Sequence, residues 1–250
     1  MNKTIRRAAF IIAATIACVL ANHGLAQRPA TQSNSLLYWA QKLQQNVNPQ
    51  NTAYQHKDNM VSWGDDGNPL HCYTDCSGFV NALMAKTFNW KESDFKAEWG
   101  HKRMFAYHYY DAIVSGNHFR QIKSIRDILP GDLIALQYAD RSEHEDNTGH
   151  VMLIVSSPRS HRPSKLIEPN TLQYEVEVID CSKSPHGKND TRFNPDGTEY
   201  SGLGKGTFRL YTGGQGNITG YSWSIGNPKA GFDPFENPIA IGRFISQNYN

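Results

Sequence analysis

Near residue 130 the hydrophobic pattern of the chain changes period and does not change back. Before that point apolar residues recur at helical spacing. Leu36, Trp39, Ala40 and Leu43 do so in LLYWAQKLQQN behind a capping Ser35, and Phe79, Val80, Leu83 and Met84 do so behind Thr74 or Asp75. After it come short apolar runs suited to strands: Leu133–Tyr138, fed by a turn at Pro130-Gly131-Asp132, then HVMLIVSS, YEVEVIDCS and PIAIGRFI. Helices first and strands afterwards predict an α+β domain with antiparallel pairing. Residues 47–74 read as a loop, and the aromatic cluster Trp99, Phe105, Tyr107, Tyr109 and Tyr110 as helical or irregular chain. Residues 182–237, rich in Gly, Asn, Ser and Pro, read as an insert with short strands at TFRLY and GYSWSI.

The first 26 residues pair a charged start (Lys3, Arg6, Arg7) with an uncharged run and a small-residue site at Gly24-Leu25-Ala26, the pattern of a secretory signal peptide cleaved after Ala26. The run is shorter than the roughly 20 residues a bilayer core requires. A lipidated Cys18 is the alternative, though Thr15-Ile16-Ala17-Cys18 is a poor lipidation sequence. The expectation is an exported, periplasmic or secreted protein with no stable membrane insertion. Removing Lys3, Arg6 and Arg7 takes the 25 basic residues to 22, against 23 acidic ones. No basic stripe remains, so nucleic acid is not an expected partner. Residues 27–250 are long enough for one domain with its own core, with inserts near 87–125 and 182–237, and a monomer is expected.

Three cysteines follow the leader: Cys72, Cys76 and Cys181. An odd number in an exported chain leaves one thiol unpaired, and oxidising compartments remove idle thiols. Cys76 lies in DCSGFV, at the first turn of the second helix, where unpaired N–H groups and the helix dipole favour thiolate and can stabilise an oxyanion. Of ten histidines, His150 stands apart at the start of HVMLIV, directly after Gly149. If that strand pairs antiparallel with 175–180 so that His150 faces Asp180, the carboxylate can fix the imidazole tautomer and stabilise the imidazolium. His186 rivals Asp180 for the orienting position. The HExxxxH spacing beginning at His144 is not that of a zinc peptidase, and no metal is expected.

Asp75-Cys76-Ser77-Gly78-Phe79-Val80, Leu129-Pro130-Gly131-Asp132-Leu133-Ile134 and Gly149-His150-Val151, in that order, resemble the NlpC family of papain-like cell-wall peptidases; IGRF near the end fits as well. The resemblance spans roughly residues 35–245. It implies a papain-like α+β fold, with the cysteine helix packed on a central antiparallel sheet, and cofactor-free cleavage of amide bonds in peptidoglycan stem peptides. Carried over, Cys76 is the nucleophile, His150 the base and Asp180 the orienting residue. Asp75 and Ser77 would hold the substrate's amine end, and Trp63 and Tyr73 would contact substrate. The family often has a Tyr two positions before a WG pair; here Val61 stands there, leaving Tyr54 or Tyr73 for that contact. The inserts and the 99–110 aromatics are expected to roof and wall a groove. The alternatives are acyl transfer by the same triad, since nucleophiles other than water can attack the acyl-enzyme, and a catalytically dead module that binds cell-wall peptide. If Asp180 faces the site, alternation turns Cys181 away from Cys76 and makes a Cys72–Cys181 disulfide drawable. A Cys72–Cys76 bridge can be drawn equally well.

Overall fold

The computed structural model of the chain describes residues 33–139, 148–162, 168–226 and 237–245. The expected leader and the acidic run Glu143–Asp146 lie outside them. Among these residues there are four α-helices: α1 (Ser33–Asn46), α2 (Cys76–Phe88), α3 (Glu92–Trp99) and α4 (Ala106–Ser115). A small sheet sits ahead of α2, formed by β1 (Thr52–Tyr54), β2 (Met60–Ser62) and β3 (His71–Thr74). β3 runs in the centre, parallel to β1 and antiparallel to β2. The stretch 47–74 is therefore more than a loop, and it leads straight into the cysteine helix.

The large sheet contains β4 (Phe119–Gln121), β5 (Leu133–Gln137), β6 (Gly149–Ile154), β7 (Arg159–His161), β8 (Leu172–Ser182), β9 (Gly202–Thr212), β10 (Ile218–Ser222) and β11 (Ile239–Phe244). Its order is β10-β9-β8-β6-β5-β11-β4, antiparallel throughout, with β7 beside β8. The expected α+β class with antiparallel pairing is the one observed. The two outer strands are also stitched together. Ser124 and Asn217 form a bridge, Ile125 N–H donates to Gly216 O at 3.0 Å, and Ile218 N–H donates to Lys123 O at 3.0 Å. The sheet thus curls toward itself, although β10 and β4 remain its two ends.

Strand alternation divides the core in two. Leu133, Ala135, Val151, Leu153, Ile179, Cys181 and Leu203 face the helices and pack with Phe79, Leu83, Trp99, Tyr109 and Ile113. Ile134, Leu136, Met152, Ile154, Val176, Val178, Phe208 and Leu210 fill the inside of the curl. Phe79, Val80 and Leu83 are fully buried, and such burial contributes roughly 1.5–3 kcal/mol per side chain. Gly242 lets α4 approach β11, since a Cβ there would stand 2.5 Å from the Ile113 side chain. The PGD turn is tied to the last strand by Arg243, whose Nε and Nη2 donate to the two carboxylate oxygens of buried Asp132 at 2.7 and 2.9 Å. PGDL and IGRF are therefore two halves of one structural clasp.

Two sequence expectations need correction here. The segment 87–125 is mostly core rather than roof: Phe95, Trp99, Tyr109 and Ile113 are buried, because aromatic side chains on short helices have the whole sheet to pack against, while Phe105 and Ala106 of it reach the space beside Cys76. Nor is 182–237 an insert outside the core. Its β9 pairs with all eleven residues of β8 and contributes Leu203, Phe208 and Leu210 to both cores.

Candidate functional site

The site begins where β3 ends. Asp75 has extended backbone and N-caps α2, its Oδ1 accepting from Gly78 N–H at 2.6 Å and from Ser77 Oγ–H at 2.9 Å. That fixes Cys76 as the first helical residue, beside the orphan N–H groups of the first turn. Cys76 is only 4% exposed. It opens onto a narrow cleft lined by Tyr54, His56, Asp75, Ser77, Phe105, Ala106, Thr148 and Gly149.

His150 comes from the other layer. β6 and β8 are paired only at Leu153–Ile179 and Ile154–Val178, two residues out of the expected register. A shift of two leaves every side chain on its original face, so the expected partnership survives. His150 Nε2 lies 2.5 Å from Asp180 Oδ2, both residues buried. Cys76 lies close enough to the imidazole for its charge and a hydrogen bond to favour the protonated ring. Gly149 makes this entry possible: at φ +146°, a Cβ would stand 1.9 Å from Leu136 O. Burial opposes protonation of His150, but the Cys76 thiolate, the hydrogen bond with Asp180 and the Asp180 charge outweigh it and push the imidazole up to about 9.

Asp180 and His186, set against each other by the sequence, belong to one network. His186 Nε2 lies 3.0 Å from the same Asp180 Oδ2 that His150 uses, and its Nδ1 lies 2.8 Å from Trp223 O. Below them is a residue that sequence reasoning missed, Arg192, which has no exposed surface. All five guanidinium N–H groups have acceptors. Nη2 donates to Asp180 Oδ1 at 2.9 Å and Asp190 Oδ2 at 2.8 Å, Nε to Asp190 Oδ1 at 2.9 Å, and Nη1 to Ser182 Oγ and to Gly202 O at 3.2 Å. Burial alone would raise the Asp180 carboxyl. The Arg192 and His186 charges and the hydrogen bonds from both imidazoles hold it well below the usual carboxylate range instead.

A signal for this network was present in Gly202-Leu203-Gly204-Lys205-Gly206. Alternate glycines strip one face of β9, and Arg192 and His186 lie in the space: a Cβ at Gly204 would stand 2.4 Å from Arg192 Nε, and one at Gly206 2.6 Å from His186 Cβ. Trp223 closes the cluster, its ring 4.1 Å from that of His186 and 4.9 Å from that of His150, with Nε1 donating to Pro185 O at 3.0 Å. His150, Asp180 and His186 present ligand atoms within 4.8 Å of one another, a spacing that could receive a metal ion. The Arg192 cation bonded to Asp180 opposes a second positive charge there.

The remaining predicted residues divide. Ser77 and Asp75 line the cleft, but Asp75 is not free to receive an amine: Arg103 Nη2 donates to its Oδ2, and His56 Nδ1 lies 3.6 Å from the same oxygen. Tyr73 is not a lining residue; it stacks on His71 and donates to Gln50 O at 3.3 Å. Trp63 packs edge-on against Trp39 at 5.9 Å, in the helical core. Tyr54 is the tyrosine in the cleft, its hydroxyl pushed up by burial and by the nearby Cys76 and Asp75 charges. Tyr138 also senses Cys76: burial and that charge push it up to about 12.

No disulfide joins Cys72 to Cys181 or to Cys76; all three are buried free thiols. Cys181 lies on the helix side of the sheet, in the same core cluster as Cys76, rather than away from it. Its Sγ–H donates to Thr74 O at 2.9 Å. Burial and a hydrogen bond with Cys72 push the thiol well up. Among the described residues no helix is long and apolar enough to cross a membrane.

No known family profile matches the chain, and no solved structure matches it. It is 39% identical over 218 residues to an uncharacterized protein of Acanthamoeba polyphaga mimivirus ("Uncharacterized protein R653"), across 84% of this chain and 96% of the viral one. The chain belongs to the same family as that protein.

Proposed function

We propose that this protein is a cysteine hydrolase of amide bonds with a papain-like, NlpC-type arrangement, exported to act on peptidoglycan stem peptides. One observation carries the reading: a thiol on a helix N-terminus and a buried carboxylate both act on a single imidazole. The DCSG, PGDL and GHV motifs supply the cell-wall part of it.

In this reading the Cys76 thiolate attacks the amide carbonyl carbon, and the oxyanion forms beside the free N–H groups of the first turn of α2. The Tyr54 hydroxyl, kept protonated by its surroundings, is a further donor. Imidazolium His150 protonates the leaving nitrogen as the C–N bond breaks, leaving a thioester. Water then attacks, His150 takes its proton, the C–S bond breaks to release the acyl group as a carboxylic acid, and the thiolate–imidazolium pair is restored. Asp180, held by Arg192 and His186, keeps the His150 ring turned toward the sulfur throughout.

Digestion of purified peptidoglycan and isolated stem peptides, with mass analysis of the fragments, tests this. Cys76→Ala and His150→Ala should each abolish cleavage with the fold intact. The double variant should be scarcely worse than either, because nucleophile and base act as one unit. Turnover retained by Cys76→Ala refutes the mechanism. Efficient casein hydrolysis with nothing released from wall peptides moves the enzyme to general proteolysis, and a transferred rather than hydrolysed acyl group makes it an acyltransferase.

A further inference from the structure

Beside the nucleophile, the carboxylate that would receive a substrate ammonium is already engaged by neighbouring donors. Asp75 Oδ1 accepts from Gly78 N–H and Ser77 Oγ–H, while Oδ2 takes Arg103 Nη2 and lies 3.6 Å from His56 Nδ1. Three hydrogen bonds and one longer contact leave little of the roughly four lone-pair sites a carboxylate has. Asp75 is 6% exposed at its side chain, whereas Arg103 and His56 are each 32% exposed. The more exposed groups here are therefore the donors, with Asp75 and His56 in the cleft wall and Arg103 directly behind Asp75. Arg103 is also held in place: its guanidinium lies over the Phe105 ring at 5.0 Å. The Asn59 amide, oriented with its oxygen inward, accepts from Nη1 at 2.9 Å and Nη2 at 3.1 Å. Phe105 and Asp75, which brace Arg103, are walls of the Cys76 cleft, and Arg103 Nη2 also reaches Ser77 Oγ at 3.4 Å.

We propose that Arg103 sets the charge preference of the site: the cleft takes an acyl group flanked by a neutral or anionic terminus, such as an N-acylated or internal amide or one carrying a carboxylate, and rejects a free α-ammonium. This rests on Cys76 being the reactive thiol. An ammonium placed against Asp75 would have to displace a guanidinium that Phe105 and Asn59 also hold. A carboxylate or carbonyl meets Arg103 and His56 donors already in position.

The test needs no knowledge of the substrate. Methanethiosulfonates carrying a sulfonate or a trimethylammonium group modify a thiol by one balanced step: the Cys76 thiolate attacks the sulfenyl sulfur, a disulfide forms and methanesulfinate leaves. Rates of Cys76 modification are followed by intact mass on the folded protein, with Cys76→Ala as the control for Cys72 and Cys181. The native protein should react faster with the sulfonate reagent. Arg103→Ala should shift the rate ratio about tenfold toward the ammonium reagent, a modest share of the Coulomb energy of a near-surface pair. Arg103→Lys should stay near the native ratio. Asp75→Asn, which keeps a capping side chain, should move the ratio further toward the sulfonate, so the inference stands or falls even if Arg103→Ala does not fold. A native preference for the ammonium reagent that Asp75→Asn abolishes overturns it, as does a ratio unmoved by either variant. If neither reagent modifies Cys76, the thiol-hydrolase reading falls and takes this inference with it. If Cys76 reacts but favours the cation, only this inference falls.

Discussion

At the scale of single residues, the site depends on charges that cannot be removed one at a time. Arg192 neutralises Asp180 and Asp190 with no solvent to help. Arg192→Met leaves two buried carboxylates short of a partner and should cost about 3–5 kcal/mol in urea unfolding, as removal of one half of a buried pair does. Its effect on turnover should follow through Asp180. Asp180→Ala should lower turnover, and His186→Gln should lower it less, because Arg192 still holds the carboxylate. Equal loss in both would make the two histidines joint positioners of the acid. His150 has a pH signature of its own. Its folded-state value is raised from 6.5 to about 9, so its contribution to stability is complete below pH 6.5 and is lost as pH rises through about 9. Urea midpoints measured from pH 6 to pH 10 should show that fall. In Cys76→Ala the fall should come at lower pH, because the thiolate is the largest upward influence on the ring. An unchanged profile in that variant would mean that Cys76 and His150 are not coupled.

At the scale of elements, β9 shows what a sequence hides. GLGKG reads as loop because glycine is depleted from strands, yet here the missing side chains are what the strand supplies. Gly206→Ala would place a Cβ 2.3 Å from Asp190 Oδ2. It should cost about 1–3 kcal/mol as overpacking does and reduce activity by disturbing Arg192 and Asp190. Gly149→Ala should be worse, since it meets backbone at a positive φ. Thermal melts of both variants, ranked together, check this ordering. The helix of Cys76 and strands β5, β6, β8 and β11 were legible because their apolar periods are strong and their caps and turns use ordinary chemistry. The His150–Asp180 partnership was legible although its register was not: period two fixes the face of a strand but leaves pairings two residues apart equally acceptable. Arg192 was illegible for a different reason. A lone arginine among Asn, Asp and Thr looks like solvated surface until the glycines opposite it are known to be empty space.

At the scale of the whole molecule, the curl of the large sheet is closed by one bridge, made by two hydrogen bonds between 123–125 and 216–218, whereas β8 and β9 share eleven paired positions. Local opening should begin at the sparse seam. In native-state hydrogen exchange the amides of Ile125 and Ile218 should exchange well before those of Val178 and Phe208; uniform protection across both sets would mean that the seam is as strong as the rest. The division of labour between layers has a consequence beyond stability. In the proposed mechanism the nucleophile Cys76 rides on the helical layer, while His150 and Asp180 belong to the sheet, so the pair would react only while those layers keep their alignment. A shear of α2 across β6 by a fraction of a helical turn would part sulfur from imidazole while each layer stayed intact. Such a displacement would silence the protein reversibly, as a clutch does, with neither partner damaged.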